Sequence, residues 1–357
     1  MITAHYHKYI LKFKNPSGTS RGVLKTKETW FIVVTKEAKI GIGETGLFRG
    51  LSIDDTTNYE EKLQWVCQNI HQGLKKLLPQ VAHFPSIQFG LEQAFLSLES
   101  QSKFDLFPSD FTLGKESIPI NGLIWMGDVS FMKQQIKDKL QKGFTTLKMK
   151  IGAINFQTEL TLLKSIRKEF SATELALRVD ANGAFRPKKA LEKLKRLSDL
   201  EIHSIEQPIK QGQPQEMASL CEKTPIPIAL DEELIGVFSS EEKRNLIKTI
   251  HPQYIILKPS LIGGFAGSKE WINLATQNNT GWWITSALES NIGLNAIAQF
   301  TYTLQNKMAQ GLGTGSLFTN NFESPLEVKN GNLHYETNKK WNLDLKGFKN
   351  KESFINN

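Results

Sequence analysis

Cysteine is nearly absent from this chain. The two present, Cys67 and Cys221, lie far apart and outside any C-x-x-C pair. That excludes a disulfide-stapled scaffold and a thiolate zinc site, and it fits a reducing cytosol. Long apolar runs are missing too: none approaches the roughly 18 residues needed to cross a bilayer. The opening MITAHYHKYILKFKNP alternates in polarity and lacks the apolar core of a secretory signal. The expectation is a soluble, cytoplasmic protein with no membrane partner. Histidines are dispersed, and His5 and His7 on one strand read as surface or packing residues. The low hydrophobicity of a disordered chain is absent, since 39% of residues are apolar and 21 Phe and seven Trp can fill a large core.

Positive charge is in excess. Lys and Arg outnumber Asp and Glu by 44 to 36, a net charge of +8. Such a balance invites a nucleic-acid reading, but the lysines are scattered and no recognition motif accompanies them. No nucleic-acid partner is expected. The excess reads as a solubilising surface that can also steer a small anion. At 357 residues the chain implies two domains or one barrel with an appendage.

Residues 1–50 read as a β-meander. Residues 5–13 alternate in polarity, 30–34 are β-branched and aromatic, and 38–44 form a further short strand, while the polar, Gly-rich stretch 15–22 reads as a loop. Gly41-Ile42-Gly43-Glu44-Thr45-Gly46 matches G-x-G-x-x-G, but a dinucleotide site requires a following helix. Leu47-Phe48-Arg49-Gly50 follows instead, so this is a strand end and a loop. Helices are predicted near 56–78 and 85–99, the latter with Leu91, Phe95 and Leu98 three to four apart. From about 119, short apolar runs alternate with amphipathic segments, the pattern of a parallel sheet. Seven such strands and an eighth near Gly311 predict an α/β fold: a (β/α)7β-type TIM barrel with an α+β capping domain. The expected divisions are 1–115 for the cap, 116–316 for the barrel, and a tail at 317–357 returning to the cap.

Charged residues stand where successive strands end: Lys148 and Lys150, then Asp180, Glu206, Asp231 and Lys258, with Ser286 in the matching place after the next strand. They recur every 25–30 residues, one βα unit each time. A lone Asp there is ordinarily a helix cap and a lone Lys a surface group. Five consecutive charged strand ends converge on the barrel mouth, where buried charges need partners or a metal. Three carboxylates from adjacent strands make an oxygen-rich cage suited to Mg²⁺ or Mn²⁺. Lys148 and Lys150 are two apart on one strand and share a face, while Lys258 comes from across the barrel. A metal and a second ammonium nearby would lower a lysine's pKa and let it take a proton from carbon. The predicted chemistry is removal of a proton α to a carboxylate, with the metal stabilising the enediolate.

In order, Lys148-Met149-Lys150, Asp180-Ala181-Asn182, Glu206-Gln207-Pro208, Asp231-Glu232, Lys258-Pro259-Ser260 and Ser286-Ala287-Leu288-Glu289-Ser290 resemble the muconate-cycloisomerase branch of the enolase superfamily. Within it the chain is most similar to the o-succinylbenzoate synthases of menaquinone biosynthesis. The resemblance implies a Mg²⁺-dependent lyase acting on a small dicarboxylate, 2-succinyl-6-hydroxy-2,4-cyclohexadiene-1-carboxylate. Lys150 would be the base and then the acid on the same face. Lys258 would stabilise the enediolate from across the ring, and Lys148 would assist the carboxylate and keep Lys150 at low pKa. Asp180, Glu206 and Asp231 would hold the metal. Asn182 and Glu232 would orient those ligands, and Arg178 would join them or touch substrate. The resemblance also implies that loops 17–25 and 41–50 close over the site, with Arg21, Leu47 and Phe48 as contacts. Ser286, Gly313 and Thr314 would receive a substrate carboxylate. Dipeptide epimerases of the branch carry Asp-x-Asp after the eighth strand, where this chain has Gly311-Leu312-Gly313-Thr314-Gly315, and 282–290 lacks the His base of the mandelate-racemase type. N-succinylamino-acid racemases and muconate cycloisomerases share the lysine and carboxylate set and stand as alternatives.

Overall fold

The structure is a computed structural model that describes residues 1–343 except 20, 21, 126 and 153, with the backbone alone at 17–19. The first three strands, β1 (Ile2–Thr19), β2 (Gly22–Lys36) and β3 (Lys39–Gly46), form an antiparallel sheet in that order. Side chains on a strand alternate between faces, and β2 uses both. Trp30, Ile32 and Val34 pack onto α1 (Tyr59–Gln68), α2 (Leu74–Gln80) and α3 (Pro85–Glu99), while Phe31 and Val33 join Ile42 and Ile292 on the barrel side. The helix expected over 56–78 is broken at Gly73, whose φ of 80° lies in the left-handed region. The stretch 15–22 is mostly strand, not loop. Ser17, Gly18 and Thr19 pair with Leu24, Val23 and Gly22 beyond a register shift. The outer edge of β1 is covered as well: Lys14 donates to the Leu317 carbonyl and Thr319 to the Lys12 carbonyl. A covered edge lets the strand run on.

The glycines of the G-x-G-x-x-G stretch have a packing explanation. A Cβ on Gly41 would lie 2.1 Å from the Ala94 carbonyl oxygen, and one on Gly43 would lie 1.9 Å from that of Gly90. So β3 and α3 meet backbone to backbone.

The strand β4 (Ile118–Pro119) leads into seven parallel strands arranged in chain order: β5 (Gly122–Ile124), β6 (Thr146–Lys150), β7 (Ala176–Asp180), β8 (Ser204–Glu206), β9 (Ile228–Leu230), β10 (Tyr254–Leu257) and β11 (Gly281–Ile284). The helices α4 (Val129–Gln141), α5 (Phe156–Glu169), α6 (Pro187–Ser198), α7 (Pro214–Lys223), α8 (Ser240–Ile250) and α9 (Gly264–Gln277) connect them, and α10 (Asn291–Thr303) follows β11. Gln310 and Gly311 close the ring in the eighth place, through parallel bridges Ile120↔Gln310 and Thr285↔Gly311. The fold is α/β, a TIM-type barrel with an α+β cap. Beyond the barrel, residues 317–320 lie along β1, whereas β12 (Leu326–Lys329) pairs with β13 (Asn332–Tyr335), which pairs with β4 at the barrel's entry. Residues 344–357 of the expected tail lie outside the described residues. No helix among the described residues is long and apolar enough to cross a membrane.

Gly43→Ala forces β3 away from α3 and is expected to lower stability by about 1–3 kcal/mol, the usual cost of overpacking a tight contact. Thermal unfolding reads this directly; an unchanged midpoint would mean that the two elements part freely.

Candidate active site

Parallel register brings the strand-end charges to one level. Lys150, Asp180 and Glu206 are direct Cα partners across β6, β7 and β8, and Asp231 and Lys258 stand one residue past β9 and β10. The intervening Met149 and Val179 join the apolar layer under the helices, as strand alternation requires. Asp180 is fully buried, and Glu206 and Asp231 nearly so. The three lysine side chains keep only 12–15% of their surface exposed. Lys148 contacts Asp180 at 3.0 Å and also Glu206. Lys150 contacts Asp180 at 2.9 Å, and Lys258 pairs with Asp231.

The groups beside this cluster hold it in place. Asn182, in a left-handed conformation at φ 43°, accepts from Lys150 Nζ at 2.6 Å through Oδ1. Its side-chain amide donates to Glu232 Oε1 at 3.0 Å, and its backbone N–H donates to Asp180 Oδ1 at 3.0 Å. Arg178 takes a different place from the one expected. It lies one layer down in the barrel and is absent from the cavity wall, with Nη1 donating to the Ala309 carbonyl and the guanidinium 4.1 Å from the Trp283 ring centre. Two residues along a strand from Asp180, it shares the inward face but sits beneath the mouth.

Burial and charge oppose each other here. Burial pushes Glu206 up, and the Asp180 carboxylate adds to this, raising its pKa to about 8. Burial would also raise Asp180, but the Lys148 and Lys150 ammoniums outweigh it and hold that carboxyl below its ordinary range. Burial alone would lower Lys148, yet Asp180, Glu206 and Asp231 hold it well above the usual lysine range, and Lys258 is raised in the same way by Asp231 and Glu206. For Lys148 and Lys258 this reverses the expected direction. That expectation presumed a cation among the carboxylates; with the carboxylates paired to the ammoniums themselves, the direction is upward.

No three carboxylates, histidines or cysteines among the described residues converge as a ready metal cluster, because the oxygens lean on lysines. The donor set nonetheless fits a hard divalent cation. It offers three buried carboxylates from consecutive strands, and Glu206 Oε1 is buried without a hydrogen-bond donor among the described residues.

Above the cluster opens a cavity of about 290 Å³. Lys148, Lys150 and Asp180 face Lys258 across it, with Asn182 and Glu232 also in the wall. Ser286, Gly313 and Thr314 form an uncharged corner, where the Ser286 and Thr314 hydroxyls are hydrogen-bonded at 2.7 Å. Phe48 lines the cavity, as the resemblance implies. Leu47 does not: it is buried in the cap's core beside Trp30. Arg21 lies outside the described residues. Leu51, Trp125, Leu288 and Leu317 complete the apolar wall, and sequence reading missed them. Trp125 stands one residue past β5, as Asp231 and Lys258 do past their strands, so the strand-end rule that found the charges also points to it. Leu51 and Leu317 arrive on loops and carry no such signal.

The family described as Enolase C-terminal domain-like matches residues 132–339, more than half of the chain. The chain is 46% identical to an o-succinylbenzoate synthase of Desulfotalea psychrophila (strain LSv54 / DSM 12343), covering 92% of this chain and 97% of that one. The crystal structure of MenC from Desulfotalea psychrophila LSv54 superposes with a TM-score of 0.83 at 42% identity, over 93% and 99% of the two chains. An L-Ala-D/L-Glu epimerase of Bacillus subtilis (strain 168) is more distant, 27% identical over 57% of this chain and 54% of its own.

Asn182→Ala removes the group that holds Lys150, Asp180 and Glu232 in register. It is expected to weaken Mg²⁺ binding by about 10–100-fold, as loss of a ligand-orienting partner does. Calorimetric titration checks this, and unaltered affinity would show that the carboxylates orient themselves.

Proposed function

The chain belongs to the enolase superfamily, and from that premise we propose that it catalyses the o-succinylbenzoate synthase reaction. In this reaction 2-succinyl-6-hydroxy-2,4-cyclohexadiene-1-carboxylate loses water to give o-succinylbenzoate, a step of menaquinone biosynthesis in the cytoplasm. The carrying observation is the 46% identity to an o-succinylbenzoate synthase along nearly the whole of both chains. The cavity agrees in chemistry. Its corner at Ser286, Gly313 and Thr314 offers hydroxyls and backbone rather than the acids that an epimerase would need for a substrate ammonium.

Lys150, as the free amine, takes the proton from the ring carbon that bears the carboxylate. Asn182 Oδ1 aims it, since that hydrogen bond persists in either protonation state. The C–H electrons move into the carboxylate as an enediolate and then return to form the ring double bond as the C–O bond breaks. Lys150, now an ammonium on the same face, gives its proton to the departing hydroxyl, which leaves as water. The amine is restored and the ring is aromatic. Lys258 faces this side from across the cavity and offers positive charge to the electron-rich ring face. Lys148 places a second ammonium beside the substrate carboxylate. Asp180, Glu206 and Asp231 would hold Mg²⁺, which when bound supplies positive charge to the carboxylate oxygens as the α-proton leaves. Phe48, Leu51 and Trp125 exclude water from the ring, and the Ser286–Thr314 corner donates to the second carboxylate.

Lys150→Ala removes base and acid together and is expected to abolish turnover, a loss beyond about 10³-fold, while the protein stays folded. Near-normal kcat in a folded variant would exclude Lys150 from the proton transfer. Offering the enzyme both the cyclohexadiene carboxylate and an N-succinylamino acid tests the reaction itself. Dehydration is expected to lead in kcat/KM by at least about tenfold, a margin of about 1.4 kcal/mol. A preference for racemising the amino acid would overturn the assignment.

A further inference from the structure

Between the cap and the barrel lies a second charged cluster that the reaction does not use. Glu44 and Glu289 are fully buried, and Lys27 is 6% exposed. Glu44 reaches from β3 to the first turn of α10. It accepts from Ser290 N at 2.9 Å, Ser290 Oγ at 2.5 Å and Gly293 N at 2.8 Å, and also from Thr29 Oγ1 at 2.8 Å. Glu289 accepts from Ala287 N at 2.8 Å and from Ser260 Oγ at 2.6 Å. The two side chains come together at Gly293: a Cβ there would lie 2.8 Å from Glu44 Oε2 and 2.9 Å from Glu289 Cβ. Lys27 stands on the barrel-facing side of β2, two residues from Thr29, with Nζ 2.8 Å from where a Cβ on Gly46 would lie. That ammonium is buried without a hydrogen-bond partner among the described residues.

A buried, unpartnered ammonium persists where charge compensates it. Glu44 faces the α10 N-terminus, which offers about half a positive charge, and Lys27 offsets a further unit of the two carboxylates' charge. Burial pushes Glu289 above its ordinary range, and the Lys27 charge draws it back. The segment these groups hold is strained. Leu288 sits between Ala287 and Glu289 at φ 61°, a conformation that a branched side chain keeps only when its surroundings impose it. Ser286 and Leu288 both line the cavity.

We propose that Lys27 and Glu289 are positioning residues that hold the strained 286–290 turn against the substrate cavity, so that docking of the cap shapes the substrate site. The lysines and metal-binding carboxylates stand on other strands, so loosening the turn weakens substrate binding and leaves the chemical step intact. The kinetic part of this inference rests on the reaction proposed above; the structural part does not.

Lys27→Met, Glu289→Gln and the double variant test it. Lys27→Met is expected to raise KM about tenfold with kcat within about twofold. It is also expected to speed amide hydrogen exchange at least about tenfold in the peptide spanning 286–293, while β6–β8 keep theirs. Glu289→Gln keeps an acceptor for Ala287 N and removes the charge, so the double variant is expected to return KM to within about threefold of the parent. Unchanged exchange at 286–293, or a double variant no better than Lys27→Met, would overturn the proposal. So would a fall in Tm with KM unmoved, the mark of a merely structural role. If Lys27→Met does not fold, the double variant decides: a folded enzyme of near-normal KM supports the charge pairing, and an unfolded one defeats it. A parent enzyme without dehydratase activity would defeat the proposed reaction alone, and hydrogen exchange would still decide this inference.

Discussion

The constraint on which the rest depends is the burial of like charges at the barrel mouth. Asp180, Glu206 and Asp231 lie within a closed ring of strands, where an unpaired carboxylate is costly and losing one partner of a buried pair costs about 3–5 kcal/mol. The structure answers that charge with Lys148, Lys150 and Lys258, one partner set from β6 and one from across the ring. The balance is incomplete: Glu206 keeps a raised pKa because it is buried and Asp180 crowds it, and its Oε1 has no hydrogen-bond donor among the described residues. A divalent cation bound there would release the lysines from the carboxylates. On the proposed reaction, the same residues would balance the buried charge without metal and serve as acid–base groups with it.

That arrangement requires neighbours held to fractions of an ångström. Parallel register sets the level of Lys150, Asp180 and Glu206 without any loop being involved. Closure through Gln310 and Gly311 then fixes the distance from the first strands to the last. The cap is tied down by other means. Its β3 strand meets α3 across glycines, and Glu44 reaches the amides of α10, so sheet, helix and barrel are joined by backbone contacts that leave little play.

The charged cluster was legible in the sequence because it obeys two periods at once, 25–30 residues between strand ends and two within a strand. The fold class followed from the same alternation. Other features follow no period. Leu47 and Phe48 are neighbours with opposite fates, one in the cap's core and one in the cavity wall, and a loop has no alternation to separate them. Arg178 shares the inward face of β7 with Asp180 but lies a layer lower, a depth that spacing does not reveal. The stretch 15–22 has a loop's composition, yet Ser17, Gly18 and Thr19 pair as strand with Leu24, Val23 and Gly22, while residues 317–319, remote in sequence, lie along β1 at 12–14. The lysine pKa directions depend on whether a cation or an ammonium answers the carboxylates, a matter of occupancy rather than of residue type.

The cavity divides chemistry from selectivity in the same way. Its floor is ionic and built by strands, where register admits few alternatives. Much of its apolar lining comes from separate segments: Phe48 and Leu51 from the cap, Trp125 after β5, Leu288 after β11 and Leu317 from the tail. None of these residues carries a charge, so each can change without altering the charge balance beneath. A floor that abstracts a proton beside a carboxylate serves several reactions alike. On the proposed reaction, selection of the substrate would fall to the wall and to the uncharged corner at Ser286, Gly313 and Thr314, through groups whose placement depends on how the cap docks.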